Sequence, residues 1–376
     1  MATLKSILIT GSQGFLGKNL IQKLSMRDDI KIIEHEVHNS RDELEDALHK
    51  ADVIVHLAGV NRPKSVDEFM RGNVEFTQDT CDMLREVNRK PRIIMSSSIQ
   101  AELDNPYGIS KRLAEEELKK FADESGAEVV VFRFKNIFGK WSRPNYNSVV
   151  ATFCHNITRD LPITVTEPSK KLELVYVDDV IAAIVNEIDS EDTKLGFRFA
   201  EEIEGFKVRL GDLAETIQSF RESRRTCMLP ECSNRFTACL YATYLSYLDD
   251  KDLAYDLEQK TDPRGALAEF IKSPHIGQIF VSRTKPGITR GNHYHHTKVE
   301  KFFVAEGRGI TRLRHLGTGE LVEYEVSGED FRVVDIPPGY THSIENIGFT
   351  DMVVIFWASE VFDPKRPDTY YCEVKQ

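Results

Sequence analysis

The chain has 376 residues, with 49 Lys and Arg against 60 Asp and Glu, a formal net charge of -11 at pH 7. With 41% hydrophobic and 29% charged residues it can bury a full core, and its length suits about two domains. The acidic balance and the lack of Lys/Arg clusters exclude a nucleic-acid backbone binder, and no apolar run approaches the ~20 residues that cross a bilayer. The N-terminal stretch has no secretory core, and Cys81, Cys154, Cys227, Cys232, Cys239 and Cys372 are scattered without a CxxC pair. Both features predict a cytoplasmic protein with reduced thiols.

Short β-branched runs over 7–10, 30–37, 53–57, 92–96 and 129–134 alternate with helical patterns over 15–26, 42–49 and 111–122. That alternation predicts an α/β, Rossmann-like, doubly wound parallel sheet with helices on both faces. Helical patterns follow over 213–217 and 239–245. The charged segment Leu248-Asp249-Asp250-Lys251-Asp252 marks a boundary, giving a dinucleotide-binding domain over 1–250 and a second domain over 255–376. After Asp262-Pro263-Arg264-Gly265 come β-rich runs over 278–282, 299–305, 309–315, 320–326, 331–336 and 352–357, the pattern of an all-β sandwich or barrel.

The first strand runs into Thr10-Gly11-Ser12-Gln13-Gly14-Phe15-Leu16-Gly17 and a helix. Glycines at such a turn let the backbone approach a pyrophosphate, and the helix N-terminus offers it N–H groups and a positive dipole end. His56-Leu57-Ala58-Gly59 and Met95-Ser96-Ser97-Ser98 end two further strands, where ligands bind in open α/β sheets. Tyr107 and Lys111 are four residues apart in Tyr107-Gly108-Ile109-Ser110-Lys111 and share a helix face.

With these motifs in order, the chain over about 4–245 resembles the extended short-chain dehydrogenase/reductase family. Arg133-Phe134-Lys135-Asn136-Ile137-Phe138-Gly139 and Tyr176-Val177-Asp178-Asp179-Val180 resemble its nucleotide-sugar signatures. The resemblance implies that Gly11, Gly14, Phe15, Leu16, Gly17, Leu57, Ala58 and Gly59 line the dinucleotide. It implies that Tyr107 is the acid of a carbonyl reduction, its pKa lowered by Lys111, which also holds the nicotinamide ribose. A phenol near pKa 10 is a poor proton shuttle at neutral pH without such a cation. Ser98, placed ahead of Ser97 and Ser96, would orient the carbonyl oxygen, and Asn136 and Arg143 are implied contacts of the UDP-sugar. Glu34 and Glu36 read as lying within the second strand, whose exit is His38-Asn39-Ser40-Arg41. With no acid at the strand end to take a ribose 2'-hydroxyl, the expectation is NADPH, with Arg41 near its 2'-phosphate; Arg41 reads equally as a solvated charge at a helix start.

In Gly291-Asn292-His293-Tyr294-His295-His296-Thr297-Lys298-Val299-Glu300, strand periodicity puts His293 and His295 on one face and His296 outward. Together with Pro337-Pro338-Gly339-Tyr340-Thr341-His342, this arrangement resembles the two motifs of the cupin family over about 255–376. The resemblance implies a cupin barrel and one divalent metal, taken to be Zn2+, on His293, His295, Glu300 and His342. Arg290-Gly291-Asn292-His293-Tyr294 also resembles a segment of cupin-fold 4-keto-sugar epimerases whose histidine abstracts the proton. One nitrogen of His293 cannot both hold metal and take a proton, so the epimerisation base is unassigned.

End to end, the chain resembles the bifunctional capsular-polysaccharide enzymes that join an extended reductase to a cupin. The resemblance implies C3 epimerisation of a UDP-4-keto-6-deoxy-N-acetylhexosamine, then NADPH-dependent reduction at C4. The product would be UDP-2-acetamido-2,6-dideoxy-β-L-talose, on the route to UDP-N-acetyl-L-fucosamine. A homodimer is also implied. The alternatives are a single-activity reductase with a metal-stapled cupin, and a dinucleotide-sensing regulator, which would not need Ser98, Tyr107 and Lys111 together.

Overall fold

The computed structural model describes residues 4–192 and 194–375. They divide into two compact units, the first ending with residue 217 and taking in 239–248, the second made of 218–238 and the described residues from 249 onward.

In the first unit, strand Lys5–Thr10 pairs in parallel with Ile30–His35 on one side and Val53–His56 on the other. The sheet continues in parallel through Arg92–Ser98, Glu128–Phe134 and Gly196–Phe199. Alternate side chains leave opposite faces of each strand. Leu8, Ile54, Ile93, Met95, Val129 and Val131 pack with Leu44 and Leu48 of helix Arg41–Lys50, Leu84 of Phe76–Glu86 and Leu118 of Pro106–Ser125. On the other face Ile7, Ile9, Val53, Val55, Ile94 and Val130 pack with Leu20 and Leu24 of Phe15–Leu24 and Val180 and Ile184 of Val177–Asp189. A sheet covered on both faces explains the near-continuous apolar runs of its strands. Among the described residues no helix is long and apolar enough to cross a membrane.

The second unit contains two antiparallel sheets. One has six strands ordered Gln259–Asp262, Gly265–Ser273, Gly277–Thr284, Met352–Ala358, Glu300–Glu306 and Val333–Ile336; the other has five, Leu321–Ser327, Arg308–His315, Tyr340–Asn346, Thr289–Tyr294 and Tyr370–Tyr371. Phe302, Val304 and Phe356 of the first pack with Leu313, Val326 and Ile344 of the second. Among the described residues, strand pairing does not join the sheets into a closed barrel, so the expected cupin barrel is seen as two facing antiparallel sheets. Segment 218–238 joins this unit through a β-bridge between Met228 and Lys272. Lys272 N donates to the Cys227 carbonyl and Leu229 N to the Lys272 carbonyl, each at 2.7 Å.

Candidate functional site

The first strand ends at Thr10, and the φ of +68° at Gly11 turns the backbone against the Leu57–Ala58 peptide. A Cβ at Gly11 would lie 2.8 Å from Ala58 N, and one at Gly17 would lie 2.4 Å from the Gly11 carbonyl oxygen. Only glycine fits either position. Helix Phe15–Leu24 begins after Gly14 with no side-chain cap, so its first N–H groups are open to an anion. Phe15, Leu16, Leu57 and Gly59 line the same cleft of about 1070 Å³ as Gly11, Gly14 and Gly17, while Ala58 contributes backbone held by Thr10 Oγ1. This narrow glycine cradle with an uncapped helix end fits a dinucleotide pyrophosphate.

The cleft also contains Ser98, Tyr107, Lys111, Asn136 and Arg143. Asn105 caps helix Pro106–Ser125 through Gly108 N, which sets Tyr107 and Lys111 one turn apart. The Ser98 hydroxyl, which accepts from Gln100 N at 3.2 Å, lies close enough to the Tyr107 phenol to favour its ionised form. Ser97 instead donates to buried Glu115, and the Ser96 carbonyl accepts from Lys111 Nζ at 2.8 Å. The expected lowering of the Tyr107 pKa by Lys111 is not what the structure has. Burial pushes the phenol up, and Ser98 offsets only part of this. Burial also lowers the Lys111 ammonium to about 8, against a smaller opposing effect of Glu115. The Lys111 ammonium donates to the Ser96 carbonyl rather than to the phenol.

Supporting contacts surround these groups. Glu115 forms a 2.6 Å ion pair with Arg133, whose guanidinium also lies over the Phe199 ring. Asn73 accepts from Val60 N and donates to Ser110 Oγ, which ties the loop after Gly59 to the Tyr107 helix. His56 is fully buried between Thr10 and Thr77, and burial lowers its pKa to about 3, so it is a neutral structural residue. Trp141 and Tyr146 line the cleft, and the Arg143 guanidinium stands 5.2 Å from the Tyr146 ring centre.

The second strand is shorter than its sequence pattern suggests. It ends at His35, so Glu36 follows the strand rather than lying within it, and its carboxylate accepts from Gln13 N in the glycine turn. The sequence pattern missed this acid because the boundary moved by two residues. Arg41 is exposed at the first position of its helix, after the Ser40 cap, and does not line the cleft.

In the second unit His293, His295, Glu300 and His342 come together, with one potential ligand atom from each within 4.8 Å of the others. His293 and His342 are register partners on adjacent strands, and Gly291 at φ +99° lies at an irregularity in that pairing. Glu300 Oε2 lies 3.4 Å from His295 Nε2 and 3.1 Å from His342 Nε2. Both nitrogens are buried without a hydrogen-bond partner. Burial opposes ionisation of Glu300, but the nearby His295 and His342 rings outweigh this and hold the carboxyl well below its usual range. Burial and then His342 lower His293 to about 4, which keeps its imidazole neutral. Three imidazoles, one carboxylate and two nitrogens without a hydrogen-bond partner make a donor set that fits one divalent cation. His296 is exposed, as strand alternation predicts.

Residues 7–196 match the NAD dependent epimerase/dehydratase family, and residues 260–370 match the polysaccharide biosynthesis C-terminal domain. A UDP-2-acetamido-2,6-beta-L-arabino-hexul-4-ose reductase of Pseudomonas aeruginosa is 43% identical over 98% of each chain. The crystal structure of capsular polysaccharide assembling protein CapF from Staphylococcus aureus superposes with a TM-score of 0.90 at 49% identity, over 98% of this chain and 100% of that one. The spore coat polysaccharide biosynthesis protein SpsL of Bacillus subtilis is 26% identical over 30% of this chain and 81% of its own.

Proposed function

The chain belongs to the NAD dependent epimerase/dehydratase family, and from that premise we propose that it is a bifunctional UDP-sugar enzyme. It epimerises a UDP-4-keto-6-deoxy-N-acetylhexosamine at C3 and reduces the C4 ketone, giving UDP-2-acetamido-2,6-dideoxy-β-L-talose for polysaccharide assembly. The observation that carries the reading is the convergence of Ser98, Tyr107 and Lys111 in the cleft of the glycine cradle. The kinship with the P. aeruginosa reductase supports the substrate class.

NADPH, when bound, supplies the hydride. Ser98 and Tyr107 hold the C4 ketone oxygen, and the phenol passes its proton to that oxygen as the C4 carbon is reduced. The Lys111 ammonium, drawn off the Ser96 carbonyl toward the ribose, stabilises the phenolate left behind. Asn136 and Arg143 hold the UDP-sugar. We assign NADPH with Arg41 opposite its 2'-phosphate, which requires Glu36 to stay on Gln13 N rather than meet the phosphate.

In the second unit His293, His295, Glu300 and His342 would hold Zn2+, which when bound would supply positive charge that favours loss of the C3 proton beside a ketone. We assign no residue to the proton transfer at C3. A cytoplasmic homodimer completes the proposal, and sedimentation checks the subunit number. The test of the reductase reading is loss of dihydronicotinamide absorbance when the purified protein meets NADPH and the 4-keto sugar. Tyr107→Phe should abolish that loss and His342→Ala should not, given sugar already epimerised at C3. Wild-type protein that leaves NADPH untouched refutes the reading.

A further inference from the structure

The end of the chain, 363–375, carries few apolar side chains, yet it is tied to the histidine cluster along most of its length. Tyr370–Tyr371 pairs with His293 and Tyr294, Cys372 N donates to the Asn292 carbonyl at 2.9 Å, and Thr341 Oγ1 donates to the Cys372 carbonyl. Val374 is 1% exposed, its N–H donates to Asn292 Oδ1 at 3.2 Å, and its carbonyl accepts from Arg314 Nε at 2.9 Å. Lys298 Nζ reaches the Pro367 carbonyl and Thr369 Oγ1.

Asp368 is the hub of these contacts. Its backbone lies at φ +35°, a left-handed conformation that Asp and Asn adopt more readily than most residues. Its carboxylate accepts from His296 N and Thr297 N at 2.9 Å, and from Lys298 N and Thr297 Oγ1 at 3.0 Å. Its own carbonyl oxygen pairs with His295 Nδ1. A carbonyl oxygen only accepts, so this bond puts the imidazole proton on Nδ1 and leaves the lone pair on Nε2. That Nε2 is buried and has no hydrogen-bond partner.

We propose that Asp368 is a positioning residue of the metal site: its carboxylate pins the 296–298 turn while its carbonyl fixes the tautomer and direction of His295. The inference rests on the metal reading above and adds to it that the C-terminal segment pre-sets one of the four ligands. Outer contacts of this kind, when lost, weaken metal affinity about 10- to 100-fold.

The test uses full-length protein, Zn2+ competition against a chromophoric chelator, and 15N NMR of the histidine rings in the metal-free state. Asp368→Ala should bind Zn2+ about 10- to 100-fold more weakly than wild type, and His295 should lose its pure Nδ1–H signature. Asp368→Asn tolerates the same backbone and keeps an oxygen toward the turn, so it should recover most of the affinity. If Asp368→Ala does not fold, the wild-type spectrum still decides, because His295 as the Nε2–H tautomer overturns the proposal. Wild-type protein that binds Zn2+ and an Asp368→Ala variant that binds it equally well overturn this inference alone. Wild-type protein that binds no Zn2+ overturns the metal reading and this inference with it.

Discussion

Replacing Lys111 with Met should remove the pH dependence of dinucleotide binding above neutrality. Burial lowers the Lys111 ammonium from 10.5 to about 8, so the free protein is about nine-tenths protonated there at pH 7 and about one-tenth at pH 9. If the ammonium holds the nicotinamide ribose, the Kd of the wild-type protein for NADPH should rise about tenfold between those values. Lys111→Met should bind more weakly at pH 7 and show no such rise, as measured by calorimetry or dihydronicotinamide fluorescence. Stability carries the same signature with a defined sign. Between about pH 8 and 10.5 the unfolded chain holds the Lys111 proton and the folded chain does not, so this group adds stability as pH rises through that window. The whole effect is about 3 kcal/mol, and the difference in unfolding free energy between wild type and Lys111→Met should change with pH only there. A wild-type Kd that is flat from pH 7 to 9, or a Lys111→Met variant with the same slope, refutes the reasoning.

Three other outcomes follow from the geometry. Tyr107→Phe should lower kcat for reduction about 100- to 10,000-fold while NADPH binding is retained, because the phenol proton and not the ring is lost. Stripping the metal with a chelator should lower the Tm, since His295 Nε2 and His342 Nε2 are then buried unpaired, and should stop C3 exchange but not reduction of sugar already epimerised. Arg41→Ala should raise the KM for NADPH and leave that for NADH unchanged; an unaltered ratio would remove Arg41 from the 2'-phosphate site and make Glu36 the determinant of cofactor choice.

Features carried by short spacings were legible in the sequence. The strand and glycine turn from Ile7 to Gly17 need glycine for backbone approach, and Tyr107 and Lys111 line one cleft because one helical turn separates them. His293 and His295 share a face through strand periodicity. Features that depend on distant pairing were not legible. Glu115 and Arg133 meet only because helix Pro106–Ser125 is followed by a strand that returns parallel to Arg92–Ser98. Strand Tyr340–Asn346 escaped the hydropathy pattern because His342, Ser343 and Asn346 are buried polar residues with site or hydrogen-bonding roles. Glu36 was misplaced by a boundary error of two residues, and Asp368 gave no signal because its partners, His295 to Lys298, lie about 70 residues away.

The central claim, one keto sugar handled by two chemistries on one chain, is tested most directly by proton NMR in D2O. The purified protein is given the UDP-4-keto-6-deoxy-N-acetylhexosamine, first without cofactor and then with NADPH. The account predicts deuterium entering at C3 before cofactor is added, and NADPH-dependent loss of the ketone afterwards. Reduction with no C3 exchange would contradict it, leaving a single-activity reductase whose histidine cluster serves the fold.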